Sequence, residues 1–218
     1  MGMRRGRGGV SDLLAAFQIL ARLQRSSAKP PVLKTRRRDF PSLDEQFAQV
    51  VNSIGGEVFL LPNLDAVWRK LDEIFAAEEI TTVVAHHEEP LLEVDVYTRF
   101  SDQHFYFPEE TEGFRTVCAR ADAGLTSASW ALAETGTLVL ESGEIQARTT
   151  SLLPPIHIVL LPKSKLMPSI FEWLPKRPEE LPSNLVFVSG PSKTSDIEKV
   201  VVVGVHGPER LIVLLYQD

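Results

Sequence analysis

Short apolar strands alternate with amphipathic helices along this chain, and this alternation constrains the fold more than any other feature. Residues 57–62 (EVFLLP) and 80–87 (ITTVVAHH) are typical of buried strands, and the helix predicted between them begins after the N-cap Asn63. Strands that alternate with helices through short connections form parallel sheets covered by helices. Residues 211–216 (LIVLLY) are too apolar for a half-exposed strand, so they are predicted inside the sheet. The predicted fold class is therefore α/β, with a mostly parallel sheet flanked by helices.

A further helix is predicted before the first strand, and further strands after the second. Ser42 and Glu45 form a capping box at the start of this helix, and Gly55-Gly56 ends it. Ligands of open parallel sheets bind beyond the carboxyl ends of the strands, where His86 and Gly190 are expected to lie. The later strand-like runs that continue the pattern are 137–141, 157–162 and 185–190.

Residues 124–143 (GLTSASWALAETGTLVLESG) place a carboxylate, glycines and hydroxyls against the start of the strand predicted over 137–141. Glu134, Thr135 and Gly136 form the turn that leads into this strand. Gly136 permits a backbone angle or a close ligand approach that a Cβ atom would forbid. Such a segment suits an anionic ligand. The alternative is that the glycines only form turns and that Glu134 is only a solvated cap.

A second polar cluster, residues 189–198 (SGPSKTSDIE), follows a strand-like run. A strand that leads through a Gly-Pro turn into a helix start presents unpaired backbone N–H groups, which suit phosphate or carboxylate. Lys193 adds a positive charge there. Asp196 and Glu198 would repel an anion unless they face away or bind a cation, and an ordinary turn is the alternative. The candidate caps of a short helical turn after Pro191 are Ser192, Thr194 and Ser195.

Taken together and in this order, the motifs of the carboxyl-terminal half resemble the lactate-utilization protein C family, whose members are LUD-domain proteins. The resemblance covers roughly the last hundred residues, whereas the part before Val117 matches only in length and general pattern. The segments that carry it are Gly124-Leu125-Thr126, Ala133 to Thr137, Ser189 to Ser192, Thr194 to Glu198 and Gly204 to Pro208.

This resemblance implies a fold similar to that of sugar-phosphate isomerases and coenzyme A transferases. It also implies a role beside two iron–sulfur subunits in the oxidation of L-lactate to pyruvate. It implies no known reaction for this subunit, because a shared fold does not assign chemistry.

Glu134 is the hypothesised carboxylate of the pocket. It would act as a general base or, as the resemblance to coenzyme A transferases suggests, as a nucleophile toward an acyl group. Because no second transferase signature is evident, ligand binding or polarisation is favoured over covalent chemistry. The groups expected around a bound anion are Thr135, Gly136, Thr137, Ser189, Gly190, Ser192, Lys193 and His206. The other motif positions are Gly124, Thr126, Asp196 and Glu198.

The histidines do not predict a metal site. His86 and His87 are adjacent, so on a strand they point to opposite faces and do not easily bind one metal together. With Glu88-Glu89 they form half a site, but the spacing matches no zinc or facial-triad pattern. His157 begins an apolar strand and is interpreted as structural. His206 lies between small residues and is the most site-like histidine.

The single cysteine, Cys118, limits the redox chemistry of this chain. It permits no internal disulfide, fits a reducing compartment, and is interpreted as a buried small residue rather than a nucleophile. Iron–sulfur clusters need about four thiolates, so redox work in a lactate system is expected on partner subunits. No G-x-G-x-x-G follows a strand and no G-x-x-x-x-G-K is present, so no nicotinamide, flavin or ATP cofactor is predicted.

The amino-terminal segment differs from the rest in charge. Residues 1–38 hold ten Lys and Arg but one acidic residue, Asp12, whereas the rest is acidic. An amphipathic helix and a linker are predicted there, which divides the chain into a basic arm over 1–41 and an α/β domain over 42–218. The arm is interpreted as a solvated start that neutralises an acidic body; the alternative is a docking arm for nucleic acid or an acidic partner. No nucleic-acid partner is predicted, because the body lacks a basic stripe with interleaved aromatics.

Three functions remain open at this point. The first is an accessory subunit that handles a small anionic substrate beside iron–sulfur partners. The second is an independent enzyme acting on acyl, coenzyme A or sugar-phosphate substrates, and the third is a purely structural assembly subunit. No signal peptide or membrane-spanning helix is evident, so a cytoplasmic location is expected, and an oligomer is possible.

Overall fold

Six strands form a wholly parallel sheet at the centre of the protein. The computed structural model describes residues 39–176, 182–195, 201–203 and 206–218. In sheet order the strands are β1 (Glu57–Leu61), β12 (Arg210–Tyr216), β7 (Ile156–Pro162), β4 (Ala123–Ser127), β2 (Thr82–Ala85) and β3 (His104–Tyr106). The predicted α/β class with a parallel sheet is confirmed.

Helices cover both faces of this sheet, and three single turns of 3₁₀ helix lie at Leu91–Glu93, Lys163–Lys165 and Leu174–Lys176. Among the described residues, the two long helices flank β1 in the sequence, and the others are short. In chain order the helices are α1 (Leu43–Ser53), α2 (Leu64–Ala77), α3 (Val96–Arg99), α4 (Phe114–Cys118), α5 (Arg148–Leu152) and α6 (Ile170–Trp173).

Strand β12 contributes to the two largest hydrophobic cores, because successive side chains of a strand point to opposite faces. Ile212 and Leu214 pack in the core beneath α2. Leu211, Val213 and Leu215 pack in the core that includes Phe47 and Val51 of α1. Burial on both faces explains why this strand has no polar alternation, as predicted for residues 211–216.

A second, four-stranded sheet packs on the α1 side of the parallel sheet, where its apolar residues join the same core as those of α1. In sheet order its strands are β8 (Leu166–Met167), β5 (Trp130–Leu132), β6 (Thr137–Ser142) and β9 (Asn184–Val188). The runs 137–141 and 185–190 are therefore strands, but β6 is antiparallel to both neighbours instead of continuing the parallel pattern. The turn at residues 133–136 is too short for a parallel crossover, so β5 and β6 must pair as a hairpin.

The helical turn predicted after Pro191 is wrong. Lys193–Ser195 is instead a strand, β10, and it pairs antiparallel with β11, Val201–Val203. A β-branched partner strand supplies backbone hydrogen bonds that local capping signals cannot reveal. Asp196 and Glu198 lie outside the described residues, as do residues 204–205 of the fifth resemblance motif.

Local helix signals are confirmed at one helix start and wrong at another. The Asn63 side chain accepts a hydrogen bond from the Ala66 N–H at 3.0 Å, as expected of the N-cap of α2. The N-cap of α1 makes no such bond, because the Ser42 hydroxyl donates instead to the Asp44 carboxylate. The predicted capping box with Glu45 is therefore absent, although the helix begins and ends where expected.

Cys118 is fully buried, as predicted. Burial raises the pKa of its thiol, and a hydrogen bond to the Thr149 hydroxyl opposes that shift without reversing it. Residues 1–38, with the predicted amphipathic helix, lie outside the described part of the chain. In the part that is described, no helix is both long enough and apolar enough to cross a membrane.

We predict that Gly124→Ala destabilises the protein by about 1–3 kcal/mol, because the new Cβ atom would clash with the backbone carbonyl oxygen of Thr150. Urea unfolding followed by circular dichroism measures this loss. The control is Gly143→Ala, whose Cβ would meet only the flexible Gln146 amide oxygen, at 3.3 Å. Unfolding midpoints that fall equally in both variants would contradict the packing role of Gly124.

Candidate functional site

A cavity of about 210 Å³ lies beside the carboxyl end of β9, and we name it the Ser189 cavity. Four of the predicted site residues line it: Ser189, Gly190, Ser192 and His206. Its apolar wall comes from Val186, Val188 and Leu211. The second polar cluster of the sequence is thus part of a real concave site.

A chain of hydroxyls joins the first polar cluster to this cavity. Thr135 Oγ1 lies 2.7 Å from Thr137 Oγ1, which in turn lies 2.7 Å from Ser189 Oγ. The antiparallel register of β6 and β9 pairs Leu138 with Val188, and this places Thr137 opposite Ser189. Two segments that are 52 residues apart in sequence are thereby brought into direct contact.

Two of the predicted glycines and the predicted lysine pack against α1 near its carboxyl end. A Cβ atom on Gly136, which has φ of +61°, would lie 2.9 Å from the Val50 side chain. A Cβ atom on Gly190 would lie 3.2 Å from the Ile54 side chain. Lys193 Nζ donates to the Ile54 carbonyl oxygen at 2.5 Å, so this ammonium group satisfies a helix end.

Glu134 lies on the turn between β5 and β6 and is half-buried. Its backbone N–H donates to the Pro168 carbonyl oxygen at 2.9 Å. Glu134 is not one of the residues that line the Ser189 cavity, whose connection to this turn runs through the hydroxyls of Thr135 and Thr137.

Beneath the cavity, Thr126 and His157 are fully buried and form a hydrogen bond of 2.9 Å between Oγ1 and Nε2. Burial, reinforced by the nearby charge of His86, lowers the pKa of His157 to about 3. His157 lines the cavity and is therefore a neutral imidazole at physiological pH. The interpretation of His157 as a structural residue is confirmed, and its neutral ring also fixes the polarity of the cavity floor.

A larger cavity of about 500 Å³ lies at the carboxyl ends of the parallel strands, and we name it the strand-end cavity. The last residues of β4, β7 and β12 line it: Ser127, Pro162 and Tyr216. Its charged residues are Glu88, Glu89, Glu93, Asp218 and Lys165. The sequence pointed to this edge through His86 and considered Glu88 and Glu89 only as part of a half metal site. Glu93, Asp218 and Lys165 were not identified; the signal for a site at this edge is the polar run that directly follows β2.

A buried polar network centred on Glu88 supports this cavity. Glu88 Oε1 accepts from the Ser127 N–H at 3.1 Å and lies 3.1 Å from His86 Nδ1, while Oε2 accepts from Gln146 Nε2 at 2.6 Å. The other ring nitrogen of His86 lies 3.2 Å from the Ala147 carbonyl oxygen. Both ring nitrogens thus face acceptors, and a doubly protonated His86 paired with an ionised Glu88 satisfies every contact.

The environment of Glu88 favours its charged form. Burial by itself would raise the pKa of this carboxyl group, but the hydrogen bond and charge of His86, together with the Gln146 and Ser127 donors, lower it below its ordinary value of 4.5. The described residues include no group of three or more His, Cys, Asp and Glu side chains arranged to hold a metal ion. Within the network, the Ser127 N–H and the Gln146 amide donate to the Glu88 carboxylate and satisfy both of its oxygens.

Comparison with known protein families identifies the family of this chain. The model of the LUD domain matches residues 45–216 of this chain. The chain belongs to the LUD-domain family.

Curated relatives of this LUD domain include proteins named lactate utilization protein C. The one from Halalkalibacterium halodurans is 43% identical over 118 residues, which cover 50% of this chain and 51% of that protein. The one from Anoxybacillus flavithermus is 32% identical over 151 residues, which cover 68% of this chain and 69% of that protein. An uncharacterized protein, YkgG, from Escherichia coli is 37% identical over 45% of this chain and 46% of its own. The chain spans about half the length of most of these relatives.

A solved structure supports the fold of this LUD domain. The crystal structure of a DUF162 family protein from Deinococcus radiodurans superposes with a TM-score of 0.57 and 21% identity, covering 80% of this chain and 96% of that one. The resemblance to LUD-domain proteins read from the motifs of the carboxyl-terminal half is therefore confirmed, and the family match extends well before Val117.

We predict that Glu88→Gln lowers the free energy of unfolding at pH 7 by about 2 kcal/mol, because His86 then loses its charged partner. The folded-state pKa of Glu88 is depressed, so its stabilisation is present above 4.5 and is lost as the pH falls below that value. Urea unfolding should show that the difference in unfolding free energy between wild type and variant is smaller at pH 4 than at pH 7. An unchanged gap, or an equal effect of the exposed-site control Glu144→Gln, would argue against the ion pair.

Proposed function

We propose that this LUD domain acts in lactate utilization as a non-redox subunit that binds a small carboxylate, of the 2-hydroxy acid type, in the Ser189 cavity. The names of its relatives from Halalkalibacterium halodurans and Anoxybacillus flavithermus support a role in lactate utilization. The hydroxyl chain that ends at Ser189 supports the ligand class, and it is the observation that carries the proposal.

The hydroxyl chain suits an anion because each of its hydrogen bonds can run in either direction. Each of the three hydroxyls can donate or accept. A carboxylate at Ser189 therefore orients the whole chain, so that Thr135 donates to Thr137, Thr137 to Ser189 and Ser189 to the ligand. Hydrogen bonds aligned in series polarise one another, which strengthens the last donor.

The rest of the cavity fits the other parts of a small 2-hydroxy acid. Val186, Val188 and Leu211 offer an apolar wall to a methyl group. The exposed His206 lies at the cavity, where its imidazole can exchange a hydrogen bond with the 2-hydroxyl group. No Lys or Arg occurs in the described lining, so the anion is held by neutral donors.

The partners that this proposal requires are iron–sulfur subunits. Oxidation of a 2-hydroxy acid to a 2-oxo acid releases two electrons, and the only cysteine of this chain is buried. Electron transfer is therefore assigned to partner subunits whose clusters accept these electrons. Glu134, beside Thr135 at the far end of the hydroxyl chain, is proposed to tune that chain rather than to form a covalent intermediate.

We expect L-lactate to stabilise the purified chain saturably against heat, because binding to the folded state alone shifts the unfolding equilibrium. Ser189→Ala should weaken binding about tenfold, since it removes a hydrogen bond to a charged group. Thermal unfolding with L-lactate measures the stabilisation. Titration calorimetry with L-lactate and with propan-2-ol, which lacks the carboxylate, measures the affinity. The matched control is Ser101→Ala at an exposed serine; weakening by Ser101→Ala to the same degree would contradict a specific site.

Function is tested by lactate-dependent acceptor reduction with purified candidate iron–sulfur partners. Wild type should restore turnover, whereas Ser189→Ala and Glu134→Gln should restore less at limiting lactate. If all variants restored turnover equally, an assembly role would be favoured over the ligand-binding role. Failure of the wild type to restore turnover with assembled partners would overturn the lactate assignment.

A further inference from the structure

The strand-end cavity has the position and size of a ligand site that the proposed function does not use. It lies where three parallel strands end, at Ser127, Pro162 and Tyr216. Open parallel sheets bind ligands at this edge, because neighbouring loops diverge there. Its volume of about 500 Å³ falls within the range of small-molecule sites.

The charge of this cavity is negative after its internal pairs are taken into account. Glu88 is paired with His86, and Lys165 stands near Asp218, which also accepts hydrogen bonds from Ser164. Glu89 and Glu93 are exposed and form no ion pair with any described residue. Two carboxylates are thus left to face a ligand.

Tyr216 supplies an independent sign of a missing partner. Its side chain is only 6% exposed and lines the cavity, yet its hydroxyl has no hydrogen-bond partner among the described residues. Some polar atoms of the described residues lack a partner and are sealed from solvent, and the Tyr216 hydroxyl does not belong to this group. A phenol oxygen that no protein group contacts can accept a hydrogen bond from a ligand. The Tyr216 hydroxyl therefore opens to the cavity and is available to a ligand.

The field at Tyr216 shows which sign of charge the cavity accepts. Burial, together with the nearby carboxylates of Asp218, Glu93 and Glu89, raises the pKa of Tyr216 to about 12. Negative potential from three separate residues thus converges on this hydroxyl. Within the described residues, however, no three acidic, His or Cys side chains are placed to share one metal ion. Separated carboxylates suit an organic cation that carries more than one ammonium group, because each carboxylate can then face its own positive charge.

We propose that the strand-end cavity binds a small organic cation, a compound with primary ammonium groups, through Glu89, Glu93 and the Tyr216 hydroxyl. The ammonium groups lie against the two carboxylates, and the phenol oxygen accepts one of their protons in a hydrogen bond. This site is separate from the Ser189 cavity and does not rest on the lactate proposal. Either site can therefore be disproved without the other.

The test uses the full chain and 1,5-diaminopentane as the probe, with titration calorimetry as the readout. We expect saturable binding with one diamine per chain. The neutral analogue 1,5-pentanediol and the dianion glutarate should bind at least tenfold more weakly. Glu89→Gln, Glu93→Gln and Tyr216→Phe should each raise the dissociation constant at least about fivefold, with the melting temperatures of the ligand-free variants recorded alongside.

The control is Glu144→Gln, which removes an exposed carboxylate that does not line the cavity. An equal loss of affinity in this control would show general attraction to an acidic surface and overturn the proposal. The proposal also fails if the diol binds as well as the diamine, if the Glu89 and Glu93 variants bind like wild type, or if millimolar Mg²⁺ displaces the diamine at constant ionic strength. Since Glu89 and Glu93 are exposed, their variants remain informative even if Tyr216→Phe does not fold.

Discussion

The burial of β12 on both of its faces is the constraint on which the rest of the structure depends. This strand pairs with β1 on one side and β7 on the other, and its alternate residues belong to two different cores. The free energy gained by burying apolar area on both faces fixes its register, because a slip by one residue would exchange the two sets of side chains. A fixed register brings the ends of the neighbouring strands to one edge, where Ser127, Pro162 and Tyr216 surround the strand-end cavity.

The second sheet depends on the first, and the Ser189 cavity depends on the second sheet. Leu138 and Leu140 of β6 pack against Leu211 and Val213 of β12, which holds the inner face of β6 in place. The antiparallel pairing with β9 then decides which polar residues meet. A shift of that pairing by two residues would keep the apolar face buried but separate Thr137 from Ser189.

Apart from the Ser42–Glu45 capping box, which is absent, features decided by neighbours in the sequence were predictable, and features decided by distant partners were not. The Asn63 cap and the doubly buried strand over 211–216 are properties of short segments, and both were read correctly. The antiparallel partners of β6 and the pairing of Lys193–Ser195 with a valine run depend on contacts between segments, so the local patterns did not reveal them. Glu88 was considered only as part of a half metal site, and its place in the hydrogen-bond network was not predicted, because its donors Ser127 and Gln146 lie 39 and 58 residues away in sequence.

The two cavities are linked electrostatically through the pair of buried histidines. His86 lies against Glu88 at the strand-end side, and burial, together with the nearby charge of His86, lowers the pKa of His157, which lines the Ser189 cavity. Burial is the larger cause, because a charged imidazole removed from water is unfavourable, and so His157 is neutral at physiological pH. His157 therefore supplies no positive charge to the Ser189 cavity. The anion that we propose for the Ser189 cavity would then be held by hydroxyl donors, and the Thr135–Thr137–Ser189 chain can supply them.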